Sequence, residues 1–137
     1  MLQRDYILEL ISQFVAAITN SLKLAYQQND PEACKKVEQQ VGDLLDLDAD
    51  TAMSLAPDSL VTMMILSGMG DSVASYVCYA LDRLSLVYDK MGEEDLSGLR
   101  HLQAKAVAES FECDPSEPPE ELRDFDNEVF GKADGQA

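Results

Sequence analysis

Tryptophan is missing from this chain, histidine occurs once, and cysteine occurs three times. Each shortage removes an architecture or a chemistry. Cys34, Cys78 and Cys113 stand far apart, form no C-x-x-C pair and are odd in number. Neither a disulfide framework nor a zinc site is expected from them. Reduced thiols in a cytoplasmic protein are the simple reading, with Cys34 and Cys78 as small core hydrophobes. The lone His101 would have to supply a metal site or a His-based triad unaided. Its spacing sets it on the inner row of a helix, where a packed or hydrogen-bonded structural histidine is expected. Glycine is sparse, at seven residues, which suits helices better than a sandwich of many short strands.

Positive charge is also scarce. Ten Lys and Arg face 26 Asp and Glu, a formal net charge of −16. Such a chain repels nucleic-acid backbones and anionic headgroups, so neither nucleic acid nor a membrane is expected as a partner. A basic peptide or divalent cations are electrostatically easier; the plain alternative is that the charge serves solubility. Long apolar runs are lacking too. The opening MLQRDYILELISQF carries Asp5 and Glu9 where a leader needs uninterrupted apolar residues. Ser59 to Leu81 holds a single charge, Asp71, but Gly68 and Gly70 interrupt it and no Lys or Arg cluster flanks it. Two buried helices joined by a turn explain that stretch better.

What remains is helical periodicity in 137 residues, a length for one domain. Residues 3–28 repeat Ile7, Ile11, Phe14, Ile18, Leu22 and Ala25 at spacings of three and four, and Leu8, Leu10 and Val15 widen that face. So wide a face implies contact on two sides, with the rest of the chain or with a second copy. Asp30 and Pro31 end this helix and start a second, running to about Leu45. An irregular acidic stretch follows, with a short helical turn around Thr51–Leu55. Pro57 opens a third helix, which the Gly68-Met69-Gly70 segment stops. A fourth carries Val73, Val77, Leu81, Leu84, Tyr88 and Met91, and Gly92 ends it. A fifth reaches Phe111, with Ser97, His101, Ala104 and Ala108 in one row and Leu99, Leu102 and Ala106 in another. The expectation is all-α: about five antiparallel helices forming a single domain over residues 1–113. Residues 114–137 read as an acidic, proline-containing tail. After Pro119 an amphipathic piece bearing Leu122, Phe125 and Val129 either folds back or serves a partner, and folding back is favoured.

Within residues 72–111, Leu81, Leu84, Ser85, Tyr88, Gly92, Ser97 and Ala104 fall at the spacings of a tetratricopeptide hairpin, which the segment resembles. Ser85 replaces the usual glycine there, His101 stands where an aromatic is common, and no proline closes the unit. A fainter copy involves Asn29, Asp30, Cys34 and Val41. The two are not in tandem at the period of about 34 residues that repeat arrays show. The whole chain also resembles a family of small bacterial helical proteins of unassigned function, through R-D-Y-I-L (Arg4 to Leu8) and L-L-D-L (Leu44 to Leu47). The resemblance implies a bacterial, cytosolic, helical protein and no activity.

Few residues suggest chemistry. Asp46, Asp48 and Asp50 form D-x-D-x-D, but the glycine and glutamate that a calcium loop needs next are Thr51 and Pro57. An acidic linker facing water is the better reading. Gly68-Met69-Gly70 lacks the third glycine and the preceding strand of a nucleotide-binding turn. Met53, Met63, Met64 and Met69 read first as core filler. Tyr76 and Tyr79 are candidates for a groove or interface. No catalytic set and no cofactor emerge. The leading expectation is a non-catalytic interaction or scaffolding module, self-associating or binding an unidentified protein. Its contact residues would be Ile7, Ile11, Phe14, Ile18, Tyr76 and Tyr79, with a homodimer formed through the first helix. The alternative is a small-ligand or divalent-cation-binding protein using the acidic segment from Asp43 to Asp50.

Overall fold

The computed structural model describes residues 2–68 and 70–131. Met69, inside the expected Gly68–Gly70 turn, and residues 132–137 of the expected tail lie outside the described residues. Among the described residues there are seven α-helices and no strand, so the fold is all-α.

The helix ends follow from local chemistry. Helix α1 (Leu2–Gln28) stops where Asn29 turns left-handed, at φ 52°. Asp30 then caps α2 (Pro31–Leu45), its carboxylate accepting from the N–H groups of Glu32 (3.0 Å) and Ala33 (3.4 Å). Helix α2 ends in a Schellman turn. Asp46 takes the left-handed position at φ 58°, its N–H donates to the Asp43 carbonyl (3.2 Å), and the Leu47 N–H donates to that of Gly42 (2.8 Å). The chain crosses so closely over Gly42 that a Cβ there would stand 2.7 Å from the Leu47 carbonyl oxygen. Asp48 caps the short α3 (Ala49–Ser54) by accepting from the Thr51 N–H at 3.2 Å.

Helix α4 (Pro57–Ser67) ends at Gly68, φ 75°, and α5 (Gly70–Lys90) follows. The break divides the apolar Ser59–Leu81 stretch between two helices. Among the described residues, α1 has the length and composition to cross a membrane, over Asp5–Gln28. Its Ile11, Phe14, Ile18, Leu22 and Ala25 nevertheless pack into the chain's own core. Gly92, at φ 83°, lets the chain reverse into α6 (Glu94–Phe111).

Helices α5 and α6 form the most extensive interhelical contact. At their crossing the Ser85 hydroxyl donates to the Ser97 carbonyl (2.9 Å), and the Ser97 hydroxyl donates to that of Ser85 (2.8 Å). Only small side chains allow that approach. Helix α1 packs on α2 and α5, and α4 on α6 and α5. Val77, Leu81 and Leu84 of α5 meet Ile18, Leu22, Val37 and Val107 in one continuous core.

That core does not stop at Cys113. A 3₁₀ turn (Glu120–Leu122), helix α7 (Arg123–Asp126) and a π turn (Asn127–Gly131) fold back, burying Leu122, Val129 and Phe130. Polar pairing reinforces the apolar contact. The Arg83 guanidinium forks onto Asp126 through Nε (2.7 Å) and Nη2 (3.2 Å), lies over the Tyr79 and Phe130 rings and also pairs with Asp82. Tyr79 donates its hydroxyl to Asp126 (2.8 Å), and Tyr76 donates to Glu121 (2.6 Å). One stripe of α5 thus holds the acids of the returning segment.

The fifth-helix rows need correcting. His101 is exposed, and so is Leu102, at 52%. The inward side of α6 is instead Arg100, Gln103, Ala104, Val107 and Ala108.

Candidate binding surface

The residues expected to contact a partner divide sharply in the fold. Ile11, Phe14 and Ile18 are buried by the chain itself, and Ile7 is half-buried. The wide face of α1 therefore spends most of its apolar surface internally. Tyr79 is fully buried and Tyr76 half-buried, both tied to the returning segment. Burial and acceptance of their hydroxyls by carboxylates raise the pKa of both tyrosines.

What stays open lies beside that face. Tyr6 is 60% exposed and Leu8 55%, on the N-terminal half of α1. On α4 the apolar residues run all round the helix. Leu60, Val61 and Met64 face the core, while Met63, Ile65 (60%) and Leu66 (75%) face out. A helix apolar on every side belongs between neighbours, and among the described residues α4 packs on α6 and α5 while Met63, Ile65 and Leu66 stay exposed.

Between these two exposures runs a groove of about 420 Å³. Tyr6 and Leu10 of α1 line one side, and Met63 and Leu66 of α4 line another. Leu44, Leu45 and Leu47 also line it, and Asp43 and Asp46 add carboxylates. Among the described residues, none that lines it is Lys or Arg. Across α1, a second groove of about 320 Å³ is lined by Leu8, Ile11, Val15, Tyr76 and Glu121. The apolar N-terminal half of α1 thus stands between two open grooves.

The acidic segment does not form an ion cage. Asp46 serves the α2 terminus through its backbone, the Asp48 carboxylate accepts from the Thr51 backbone and hydroxyl, and Asp50 opens α3. Among the described residues, no group of three or more His, Cys, Asp or Glu gathers closely enough to hold a metal ion. Asp46, Asp48 and Asp50 are therefore not brought together as ligands.

The charged side chains that do converge lie inside. Glu38 of α2 accepts from the Tyr88 hydroxyl (2.7 Å) and from Arg100 through Nη2 (2.8 Å) and Nε (3.2 Å). Arg100 and Gln103 also donate to the Met53 carbonyl, and Gln103 donates to that of Leu55 (2.9 Å). They complete carbonyls at the C-terminus of α3 that its own helix leaves unpaired. With only 4% of the Arg100 side chain exposed and 13% of Glu38, the network holds α2, α3, α5 and α6 together. Neither residue lines either groove beside α1. The buried cysteines are equally withdrawn: burial pushes the Cys34 thiol up to about 11 and Cys78 up to about 12, away from the thiolate that a nucleophile needs. Burial also raises the Asp82 carboxyl, against the pull of Arg83.

Hydrophobic spacing found α1 but not which part of it stays open. Arg100, Gln103 and Arg83 escaped because a periodicity count treats polar residues as outward. The signal that pointed to α4 was its unbroken apolar composition, read as burial. No family model matches this chain, and neither a curated protein nor a solved structure is significantly similar to it.

Proposed function

We propose that this protein is a non-catalytic helical interaction module that binds a protein partner across the N-terminal half of α1 and the outer face of α4. The observation that carries this reading is the exposure of Tyr6, Met63 and Leu66 along one groove lined mostly by apolar residues. Contiguous exposed apolar surface marks an interaction site more often than it marks solvent contact. The α5–α6 pair is read as a tetratricopeptide-like hairpin serving as scaffold. Buried Leu81, Leu84, Tyr88 and Ala104 and the Ser85–Ser97 crossing support that part. A bacterial, cytoplasmic setting belongs to the same proposal.

Self-association through α1 has less support than a distinct partner. Ile11, Phe14 and Ile18 are already covered, and a symmetric contact brings the same acidic patch from both copies into one interface. The test compares the wild-type chain with a Tyr6→Glu/Leu66→Glu variant. Sedimentation and affinity capture from the native cell should show a partner on the wild type only, with identical helical content in both. Equal capture by the two chains contradicts the assignment of this surface.

A second reading, a small-ligand protein, is favoured by one observation. The groove volume, about 420 Å³, falls within the range of small-molecule sites, and Asp43 and Asp46 would select a cationic ligand. The cation form of this reading predicts heat on calorimetric titration with calcium, magnesium or manganese. The interaction reading predicts none.

A further inference from the structure

We infer that the occupant of the α1–α4 groove is a cationic amphipathic helix of another protein. Its apolar stripe would lie against Tyr6, Met63 and Leu66, and its Lys or Arg residues against Asp43 and Asp46. The inference rests on the interaction reading above and adds the chemistry of the partner.

Three observations converge on it. The groove lies among α1, α4 and the C-terminal end of α2 and is lined by apolar side chains of all three, an apolar cleft between helices of the kind that receives a helix through anchors at i, i+3, i+4 and i+7. Asp43 and Asp46 are both exposed, and among the described residues no lining side chain is a cation that neutralises them. The pairings of Arg83 and Arg100 lie elsewhere: their carboxylate partners are Asp82, Asp126 and Glu38.

Charge then separates the occupants. A second copy brings a net −16 to a site that already presents two carboxylates, and like charges facing each other across an interface oppose association. A cationic helix meets the same carboxylates with opposite charge and gains in both encounter rate and register. The apolar side chains supply contact area that charge alone does not, so an unstructured polybasic tail fits less well.

The test uses the full chain and three synthetic peptides of about 18 residues, enough for a helix of about 27 Å. One carries an amphipathic Leu/Lys pattern, one the same pattern with Glu for Lys, and one the same Lys content with Ser for Leu. Binding is read by fluorescence anisotropy at about 0.15 M salt, where distant charges are largely screened. The expected result is binding of the Leu/Lys peptide alone. D43N/D46N should weaken it about tenfold, and Met63→Ser/Leu66→Ser about as much. Asparagine is chosen because it tolerates the left-handed backbone of position 46. A control that neutralises two exposed acids of α6, Glu94→Gln/Glu109→Gln, should change binding less than about twofold.

Equal weakening by the control, binding of the Leu/Glu or Ser/Lys peptide, or no binding of the Leu/Lys peptide overturns the inference. A partner that depends on Tyr6 and Leu66 but ignores D43N/D46N also overturns it while leaving the interaction reading in place. Insensitivity to Tyr6 and Leu66 as well removes both.

Discussion

Phe14 and Leu66 are both large apolar residues on helices, yet they occupy opposite ends of the exposure scale, 2% against 75%. Replacing Phe14 with a small residue should destabilise the chain by about 3–5 kcal/mol, through lost transfer and an unfilled cavity. Leu66→Ser should move the urea midpoint by no more than about 0.5 kcal/mol equivalent. The comparison needs only two denaturation curves. The buried thiols and phenols give a second prediction at this scale. Burial raises Cys34 and Cys78 from 9.0, and burial and carboxylate partners raise Tyr79 and Tyr88 from 10.0. A raised folded pKa contributes stability that is whole below the unfolded value and lost as pH climbs through the folded one. Stability should therefore hold to about pH 9 and fall from there through about pH 12. A urea midpoint that is unchanged across this window contradicts the burial of these groups. Single residues are also where the sequence was hardest to read. Arg100 and Gln103 look like outward residues until the α3 carbonyls that they complete are known. That partner lies about 50 positions earlier, as the Gln103–Met53 separation shows. His101 was set inward by the same periodicity that overlooked them.

At the scale of elements, most helix boundaries were legible because their signals are local. Asp30-Pro31, Pro57, Gly68 and Gly92 each stand at a helix end in the fold. The returning segment was only half legible. Leu122, Phe125 and Val129 hinted that it folds back, but nothing local shows that Asp126 meets Arg83, 43 positions away. That pair makes the segment testable. Asp126→Asn keeps the shape and removes the charge that Arg83 and Tyr79 share. Removing one member of a buried pair costs up to about 3–5 kcal/mol, and although Asp82 still pairs with Arg83, the loss falls on the contact that ties the returning segment to α5. Amide exchange should accelerate across residues 120–131 in this variant while α2 and the central turns of α5 stay protected. Uniform acceleration over the whole chain would mean that the segment does not open as a separate unit. Uniform protection would mean that the Arg83–Asp126 pair does not hold it.

Across the whole molecule, acidity and helicity belong to the composition, whereas the binding surface belongs to the assembly of helices. The wide apolar face of α1 was visible in the spacing. Its division into a buried face and an open N-terminal half was not, because that depends on which flanks α2, α4 and α5 leave uncovered. Likewise α4 read as a buried helix, and only the packing shows that one side of it faces outward. The central claim is that this open region, and not the rest of the surface, meets a partner. Site-specific photocrosslinking in the native cell tests it most directly, with a benzophenone side chain placed in turn at Tyr6, Leu66 and Leu96. Leu96 on α6 is also exposed, at 37%, but lines neither groove beside α1. The account predicts a discrete adduct from Tyr6 and Leu66 and none from Leu96. Adducts of equal yield from all three positions, or from Leu96 alone, would contradict it.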